Sequence, residues 1–309
     1  MFDRLWLEMS DGHEVFVSYW YQEGLKPKAI VQIAHGMAEH IERYHEFANF
    51  LVSHGIFVYG NDHRGHGKTG EKAGILGFFA EENGFERAVD DLKEINSYIK
   101  HASPQVPVFI MGHSMGSFLV RRFIQRYEQS VSGVILSGTG GNPGFLGKLG
   151  KLVANSQIRK HGKRTESPLM NQLSFGNFNK RFSDGSSEFN WLTRDAKEMQ
   201  KYIDDPLCGF IATAGFYSDL MTGLERIHHN QEVRKIDKEL PFFIFSGDQD
   251  PVGKDTKGVK QVIDQYTKHG IHQIEYKYYY EGRHEMLNEL NREEVMRDIL
   301  EWLEKRLNA

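Results

Sequence analysis

The residues with the clearest chemical potential form the stretch Gly112-His113-Ser114-Met115-Gly116. It lies between an apolar strand pattern and a helical pattern, which is the context of the G-x-S-x-G turn that exposes a nucleophilic hydroxyl. Both glycines are needed because a side chain at either position would collide with the neighbouring chain. The helix that follows directs its free N–H groups at an oxyanion. The spacing predicts that Ser114 is a nucleophile; the alternative is an inert serine in a glycine-rich turn.

A nucleophilic serine needs a general base and an acid that orients the base. For this turn the expected chain order is serine, aspartate, histidine. Asp248 and Asp250 follow the strand pattern at 241–247, and His284 follows the strand pattern at 273–280. His284 is therefore the predicted base. The residues alone leave both aspartates open as the acid, although Pro251 fixes the chain directly after Asp250.

The loop His35-Gly36-Met37-Ala38-Glu39-His40 follows an earlier buried strand pattern. In enzymes with a G-x-S-x-G turn, such a loop supplies one backbone N–H to the oxyanion, and the residue after the serine supplies the other. We therefore predict that the N–H groups of Met37 and Met115 form an oxyanion hole. The alternative is a glycine turn that only starts a helix.

Two other patterns suggest bound ions but are incomplete. Gly67-Lys68-Thr69 resembles the end of a phosphate-binding loop, yet the first glycine of that motif would fall on Asp62. Asp62, His63 and His66 offer metal-ligating side chains without a further ligand signature. We interpret this segment as a hydrogen-bonded turn and predict no metal and no cofactor.

The elements that must position these residues alternate between strand and helix patterns. Residues 4–22 predict a β-hairpin with a tight two-residue turn at Asp11-Gly12. Buried strand patterns then recur between helical ones, while residues 141–230 fit no strand pattern. The predicted fold class is α/β, a mostly parallel doubly wound sheet with an N-terminal hairpin and an inserted, mostly helical cap. The predicted domains are a core in two parts, 1–140 and 231–309, and a cap at 141–230.

Composition excludes several classes of protein. The chain has 309 residues, 26% of them charged, and a net charge of −4, so no overall basic field favours nucleic acid. Cys208 is the only cysteine, which excludes an intramolecular disulfide and a cysteine-rich zinc site. No apolar run is long enough to span a membrane. With an acidic residue at position 3 and no sustained apolar start, we expect a cytoplasmic protein.

Taken together, these motifs resemble the monoacylglycerol lipase and lysophospholipase branch of the α/β-hydrolases. The resemblance rests on the 35–40 loop with Arg43-Tyr44, on the 62–67 turn, on the 112–116 turn, and on Asp250 and His284. It implies the α/β-hydrolase fold. It also selects Asp250, since the acid of that branch is the second aspartate of a G-x-x-D turn, here Gly247-Asp248-Gln249-Asp250.

The resemblance implies a serine hydrolase that cleaves carboxylic esters of single-chain lipids, a monoacylglycerol or a lysophospholipid, through an acyl-enzyme intermediate and without a cofactor. One alternative is a serine peptidase for small peptides, in which Asp204-Asp205 or Asp219 would bind the α-amino group. Another is a binding module that has lost turnover.

Charge is unevenly distributed along the chain. Residues 141–182 contain eight cations and a single anion, Glu166, interleaved with apolar side chains. A solvated helical face is the simpler explanation of such a run. The functional hypothesis is that the cap contacts anionic lipid peripherally and delivers a single-chain substrate to Ser114.

Overall fold

Eight strands are present in the computed structural model, which describes residues 1–182 and 187–308. They are β1 (Phe2–Glu8), β2 (Glu14–Trp20), β3 (Ala29–Ala34), β4 (Ile56–Asn61), β5 (Val108–His113), β6 (Gly133–Ser137), β7 (Phe242–Gly247) and β8 (Ile274–Tyr279). The α-helices are α1 (His45–Ser53), α2 (Gly67–Lys72), α3 (Gly84–Ala102), α4 (Met115–Arg126), α5 (Gly144–His161), α6 (Pro168–Phe175), α7 (Ala196–Asp204), α8 (Ala214–Ile227), α9 (Asn230–Val233), α10 (Lys257–Lys268) and α11 (Arg292–Leu307). Short 3₁₀ helices are η1 (Ile41–Tyr44), η2 (Phe178–Arg181) and η3 (Met286–Asn288).

The strands form one sheet in the order β1-β2-β4-β3-β5-β6-β7-β8. Strands β3 to β8 are parallel to one another, and the hairpin β1-β2 joins this parallel part through an antiparallel pairing of β2 with β4. The carboxyl ends of β3, β5, β7 and β8 therefore meet at one edge of the sheet, where ligands bind in open parallel sheets.

Helices cover both faces of the sheet, because successive strand residues point to opposite sides. On β5, Ile110 packs into the layer that contains α3, α4 and α8, whereas Phe109 and Met111 pack into the layer that contains α1 and α11. Such strands, buried on both faces, read as continuous apolar runs. This architecture confirms the predicted fold class.

The hairpin loop differs from the prediction of a two-residue turn. The Met9 N–H donates to the His13 carbonyl at 2.8 Å, which leaves three residues, 10–12, in the loop. Gly12 has φ +78°, so it occupies the left-handed position that ends a three-residue hairpin loop. Asp11-Gly12 marks a hairpin correctly, but the pair alone does not fix the loop length.

The segment between β6 and β7, whose residues 141–230 we call the cap, is helical in the parts that the structure describes. It contains α5 to α9 and η2, and its one isolated bridge joins Glu166 to Thr213. Residues 183–186 lie outside the described ranges. No helix among the described residues is both long and apolar enough to cross a membrane.

Candidate active site

Ser114 occupies a strained turn between β5 and α4. Its backbone has φ 50° and ψ −118°, a conformation that a non-glycine residue adopts only when its surroundings impose it. The surroundings are tight: a side-chain carbon on Gly112 would lie 2.5 Å from the Gly116 carbonyl oxygen, and one on Gly116 would overlap the Ala34 carbonyl oxygen. The two glycines thus allow the chain to reverse and place Ser114 at the N-terminus of α4.

His284 and Asp250 form a buried pair at the same edge of the sheet. His284 Nδ1 lies 2.9 Å from Asp250 Oδ1, and the two side chains are 2% and 0% exposed. The carboxylate is held in turn by the Val252 N–H at 2.9 Å and by the Ser246 hydroxyl at 3.1 Å. Burial alone would lower the pKa of His284, but the Asp250 carboxylate outweighs it and raises that pKa above its usual value.

Asp248, the other aspartate of the turn, has a different environment. It is partly exposed, its backbone N–H donates to the Tyr279 carbonyl, and its carboxylate accepts from the Glu281 backbone. Burial raises the pKa of Asp248. Of the two aspartates, the structure therefore places Asp250 on the histidine and Asp248 on the loop after β8.

The N–H groups of Met37 and Met115 lie on two elements that converge on Ser114. Neither donates a hydrogen bond to another group in the part of the chain that the structure describes. The Met37 loop approaches the serine closely, since a side-chain carbon on Gly36 would lie 3.4 Å from Ser114 Cβ. The arrangement suits two free donors aimed at one oxyanion.

A buried network of charges that sequence reasoning missed supports this loop. The Arg43 guanidinium donates to Glu39 at 2.7 Å and to both carboxylate oxygens of Glu285 at 2.8 and 2.7 Å. Glu39 also accepts from the Gly36 N–H at 2.5 Å and from the Tyr44 hydroxyl at 3.0 Å. The network links the oxyanion loop to the residue after His284.

Burial and pairing act oppositely on the two carboxylates of this network. Burial raises the pKa of Glu39 despite the adjacent Arg43. Burial also opposes the ionisation of Glu285, but the two-pronged contact with Arg43 lowers its pKa. The sequence offered two usable signals, a cation four residues after Glu39 and an acid beside His284.

Two aromatic rings pack against the His284 ring. The ring of His113 lies 4.7 Å from it and the ring of Trp191, from the cap, 5.1 Å, measured between ring centroids. Burial lowers the pKa of His113 to about 3, so His113 stays neutral beside the base. The cap is anchored to the same loop, since the Glu285 N–H donates to the Leu192 carbonyl at 2.8 Å.

Ser114 and His284 line a cavity of about 480 Å³ between the sheet edge and the cap. This volume is within the range of small-molecule sites. Much of its wall is apolar or aromatic and includes Met37, Phe175, Phe189, Trp191, Leu192, Phe210 and Ile211. Polar groups form about as much of the wall as apolar ones do and include Glu39, Asn171, Gln172, Asn179 and Glu188.

The 62–67 turn organises the loops behind this cavity. Asp62 accepts from the Ile41 N–H at 2.9 Å and from the Lys68 N–H at 2.7 Å, and the latter contact fixes the start of α2. The His63 N–H donates to His35 Nε2 at 3.0 Å. His66 packs its ring against Phe79, Phe210 and Phe216. The Asp62 carboxylate therefore accepts hydrogen bonds from two backbone N–H groups.

The acids considered for a peptide amino group lie elsewhere. Asp205 pairs with His40 at 2.8 Å, and the Asp219 carboxylate accepts from the Gly84 backbone at the start of α3. The lining of the cavity that contains Ser114 includes none of Asp204, Asp205 and Asp219. The two buried carboxylates that do line it, Glu39 and Glu285, are both bonded to Arg43.

A doubly wound parallel sheet with an inserted helical cap and a strand-turn-helix elbow is the architecture of an α/β-hydrolase. Within that class, the chain belongs to the family described as serine aminopeptidase, S33, whose model matches residues 25–291. It is an enzyme of the esterase and lipase kind within this fold.

Relatives with known names match over most of the chain. It is 27% identical over 284 residues to a monoacylglycerol lipase of Mycolicibacterium smegmatis, covering 90% of this chain and 88% of that one. It is 27% identical over 300 residues to the monoglyceride lipase of Rattus norvegicus, covering 96% and 89%. Among solved structures, a highly thermostable carboxyl esterase from Bacillus coagulans is similar, with a TM-score of 0.91, 26% identity and 99% of each chain covered.

Proposed function

We propose that this enzyme cleaves carboxylic esters with Ser114 as nucleophile, His284 as general base and Asp250 as the acid that orients the base. The observation that carries the proposal is the buried pair of His284 and Asp250, whose histidine lines the same cavity as Ser114. We also propose that the chain is divided into a core of two segments, 1–140 and 231–309, and a cap of residues 141–230.

The proposed mechanism uses the cavity that Ser114 and His284 share and the bond of His284 to Asp250. Neutral His284 takes the proton of the Ser114 hydroxyl as its oxygen attacks the ester carbonyl, while Asp250 holds the imidazole in the required tautomer. The N–H groups of Met37 and Met115 hold the negative charge that develops on the carbonyl oxygen. The imidazolium returns its proton to the leaving alcohol, and water then releases the acid from the acyl-enzyme by the same steps.

The proposed substrates are esters of single-chain lipids, a monoacylglycerol or a lysophospholipid. The names of the relatives from Mycolicibacterium smegmatis and Rattus norvegicus support the first of these. The cavity supports both, because it combines apolar and aromatic side chains for an acyl chain with polar side chains for a head group.

The test is hydrolysis of a chain-length series of monoacylglycerols and lysophospholipids by the wild type and by Ser114→Ala. We expect kcat/KM to rise with acyl length on at least one of the two head groups. The Ser114→Ala variant should be inactive on all of them. Preference for the shortest soluble esters over every member of both series would contradict a lipid substrate.

The family description favours a second candidate, a peptidase that acts from the amino end. Such an enzyme needs a free carboxylate for the α-amino group. Glu39 and Glu285 are bonded to Arg43, whereas the exposed Glu188, which also lines the cavity, has no ion pair among the described residues. Because the named relatives are lipases and an esterase, we expect turnover of p-nitrophenyl esters and no measurable turnover of aminoacyl anilides. Faster cleavage of the anilides would establish the peptidase instead.

We further propose that the cap contacts anionic lipid through one face of α5. Phe145, Leu149 and Leu152 are 77%, 46% and 67% exposed and share that face at helical spacing. Lys148, Arg159 and Lys160 fall on the same side of the helix. These three cations make no ion pair within the described residues, whereas Arg164 pairs with Glu81 and Lys151 with Glu225.

The cations of this face supply a direct test. Replacing Lys148 and Lys160 together with Glu should weaken binding to anionic vesicles, since each basic residue near such a surface contributes about 1 kcal/mol. The matched control is Lys26→Glu with Lys28→Glu, which changes the charge equally just before β3, away from the cap. Equal vesicle binding by both double variants at low salt would show that the face is only solvated.

A further inference from the structure

Three side chains with metal-ligating atoms converge where the cap meets the oxyanion loop. They are His40, at the end of that loop, Asp205, directly after α7, and Cys208, three residues further on. One ligand atom from each, the imidazole nitrogen, a carboxylate oxygen and the sulfur, all lie within 4.8 Å of one another. His40 Nε2 and Asp205 Oδ2 are only 2.8 Å apart.

These are ligand types that zinc combines in proteins. We propose that His40, Asp205 and Cys208 form a zinc site with three protein ligands and a fourth position left for water. In a tetrahedral site the ligand atoms lie about 3.3 to 3.8 Å apart. Zinc binding therefore requires His40 Nε2 and Asp205 Oδ2 to move apart by about 0.5 Å from their 2.8 Å contact, and a separation at the 4.8 Å limit to shorten by about 1 Å.

Charged groups of both signs surround the cluster. The Arg43 guanidinium has the largest charge effect on the Cys208 sulfur, and the carboxylates of Asp205, Glu39 and Glu285 oppose it. Burial raises the pKa of Cys208, so the free thiol keeps its proton. Zinc displaces the proton of a coordinating thiol, and one proton is released to solvent as the metal–sulfur bond forms.

Occupancy would tie the cap to the oxyanion loop. Asp205 and Cys208 belong to the cap, and the adjacent Gly209 N–H donates to the Ala38 carbonyl at 2.9 Å. The Tyr202 hydroxyl donates to the same carbonyl at 3.0 Å. Zinc would replace the direct contact of His40 with Asp205 by metal–ligand bonds across this junction and stabilise the folded protein in proportion to its affinity. The site takes no part in the proposed ester cleavage and is independent of it.

The test uses protein without an affinity tag, titrated first with Co²⁺ as a spectroscopic substitute and then with Zn²⁺. Because Cys208 is the only cysteine, a near-ultraviolet thiolate-to-cobalt charge-transfer band can come from it alone. We expect one cobalt per chain with that band, its loss on adding zinc, and a rise in the melting temperature with zinc. Cys208→Ser should abolish the band.

Variants of the other two ligands distinguish a built site from a lone thiol. His40→Ala and Asp205→Asn should each weaken zinc binding at least about tenfold. The matched controls His101→Ala and Asp204→Asn should bind as the wild type does. Ser114→Ala should also bind normally, which separates this proposal from the proposed nucleophile. Absence of the band, or unchanged zinc affinity in His40→Ala and Asp205→Asn, would overturn the site.

Discussion

Removing the Arg43 guanidinium is the most informative perturbation of stability in this structure. Arg43 bridges Glu39 and Glu285 through three contacts of 2.7 to 2.8 Å. The three side chains are 11%, 4% and 6% exposed. Arg43→Met keeps most of the aliphatic stem but leaves two carboxylates buried without a cation.

The expected cost follows from this burial. Deleting one partner of a buried ion pair destabilises a protein by about 3 to 5 kcal/mol, because the remaining charge has lost its compensation. A second stranded carboxylate does not double the cost, since burial already raises the pKa of Glu39 and a proton can neutralise it. We therefore expect Arg43→Met to lower the free energy of unfolding by about 3 to 5 kcal/mol.

The loss should depend on pH in a defined direction. Without Arg43 the folded-state pKa of both carboxylates rises above the unfolded value of about 4.3. The folded variant then binds more protons than its unfolded state does, so its stability falls as pH rises. The difference from the wild type should be larger at pH 8 than at pH 5.

Urea unfolding at these two pH values measures both effects. With a slope of about 3 kcal/mol per molar, the midpoint at pH 8 should fall by at least about 1 M. The matched control is Arg4→Met, whose contact with Glu42 is at the surface and is worth about 0.2 to 1 kcal/mol. A loss in Arg43→Met no larger than that of the control would refute the assigned role of the buried network.

The remaining predictions concern the active site. Asp250→Asn should lower kcat about ten-thousandfold, since the wrong imidazole tautomer is held, whereas Asp248→Asn should change it less than tenfold; the reverse order would exclude Asp250. Activity should rise with pH through a value above about 6.5, because His284 must be neutral and its pKa is raised, and a flat profile from pH 5 to 8 would argue against this base. EDTA should leave ester hydrolysis unchanged, as assayed on a soluble ester; loss restored by a divalent ion would show that the reaction needs a metal. Gly116→Ala should destabilise the fold by about 3 kcal/mol in thermal unfolding, because the added methyl group would overlap the end of β3. The control Gly150→Ala should be tolerated, since the nearest atom to its methyl group would be 3.6 Å away.

The sequence predicted well the features that local patterns encode. The apolar residues of α3 recur at helical spacing, and they are buried as that spacing requires. The turn at Ser114 could be predicted because it needs glycine at two fixed positions. At Gly116 the reason is that a side-chain carbon would overlap the Ala34 carbonyl oxygen. The sheet followed from the alternation of strand and helix patterns.

Features that depend on distant contacts could not be predicted. Arg43 and Glu285 are 242 residues apart, so no local pattern pairs them. Helix α2 has two glycines in six residues and begins where Asp62 holds the Lys68 N–H, a contact that no helical pattern announces. The choice of Asp250 over Asp248 needed a family resemblance, because both follow β7 and only packing distinguishes them.

The most direct test of the central claim is covalent labelling by a fluorophosphonate, read by peptide mass spectrometry. The proposed mechanism predicts one adduct per chain, located on Ser114, with activity lost in parallel. Labelling should be absent in Ser114→Ala and strongly slowed in His284→Ala, while both variants keep the wild-type circular dichroism spectrum. An adduct on another residue, or full hydrolytic activity in Ser114→Ala, would contradict the assignment of Ser114 as the nucleophile.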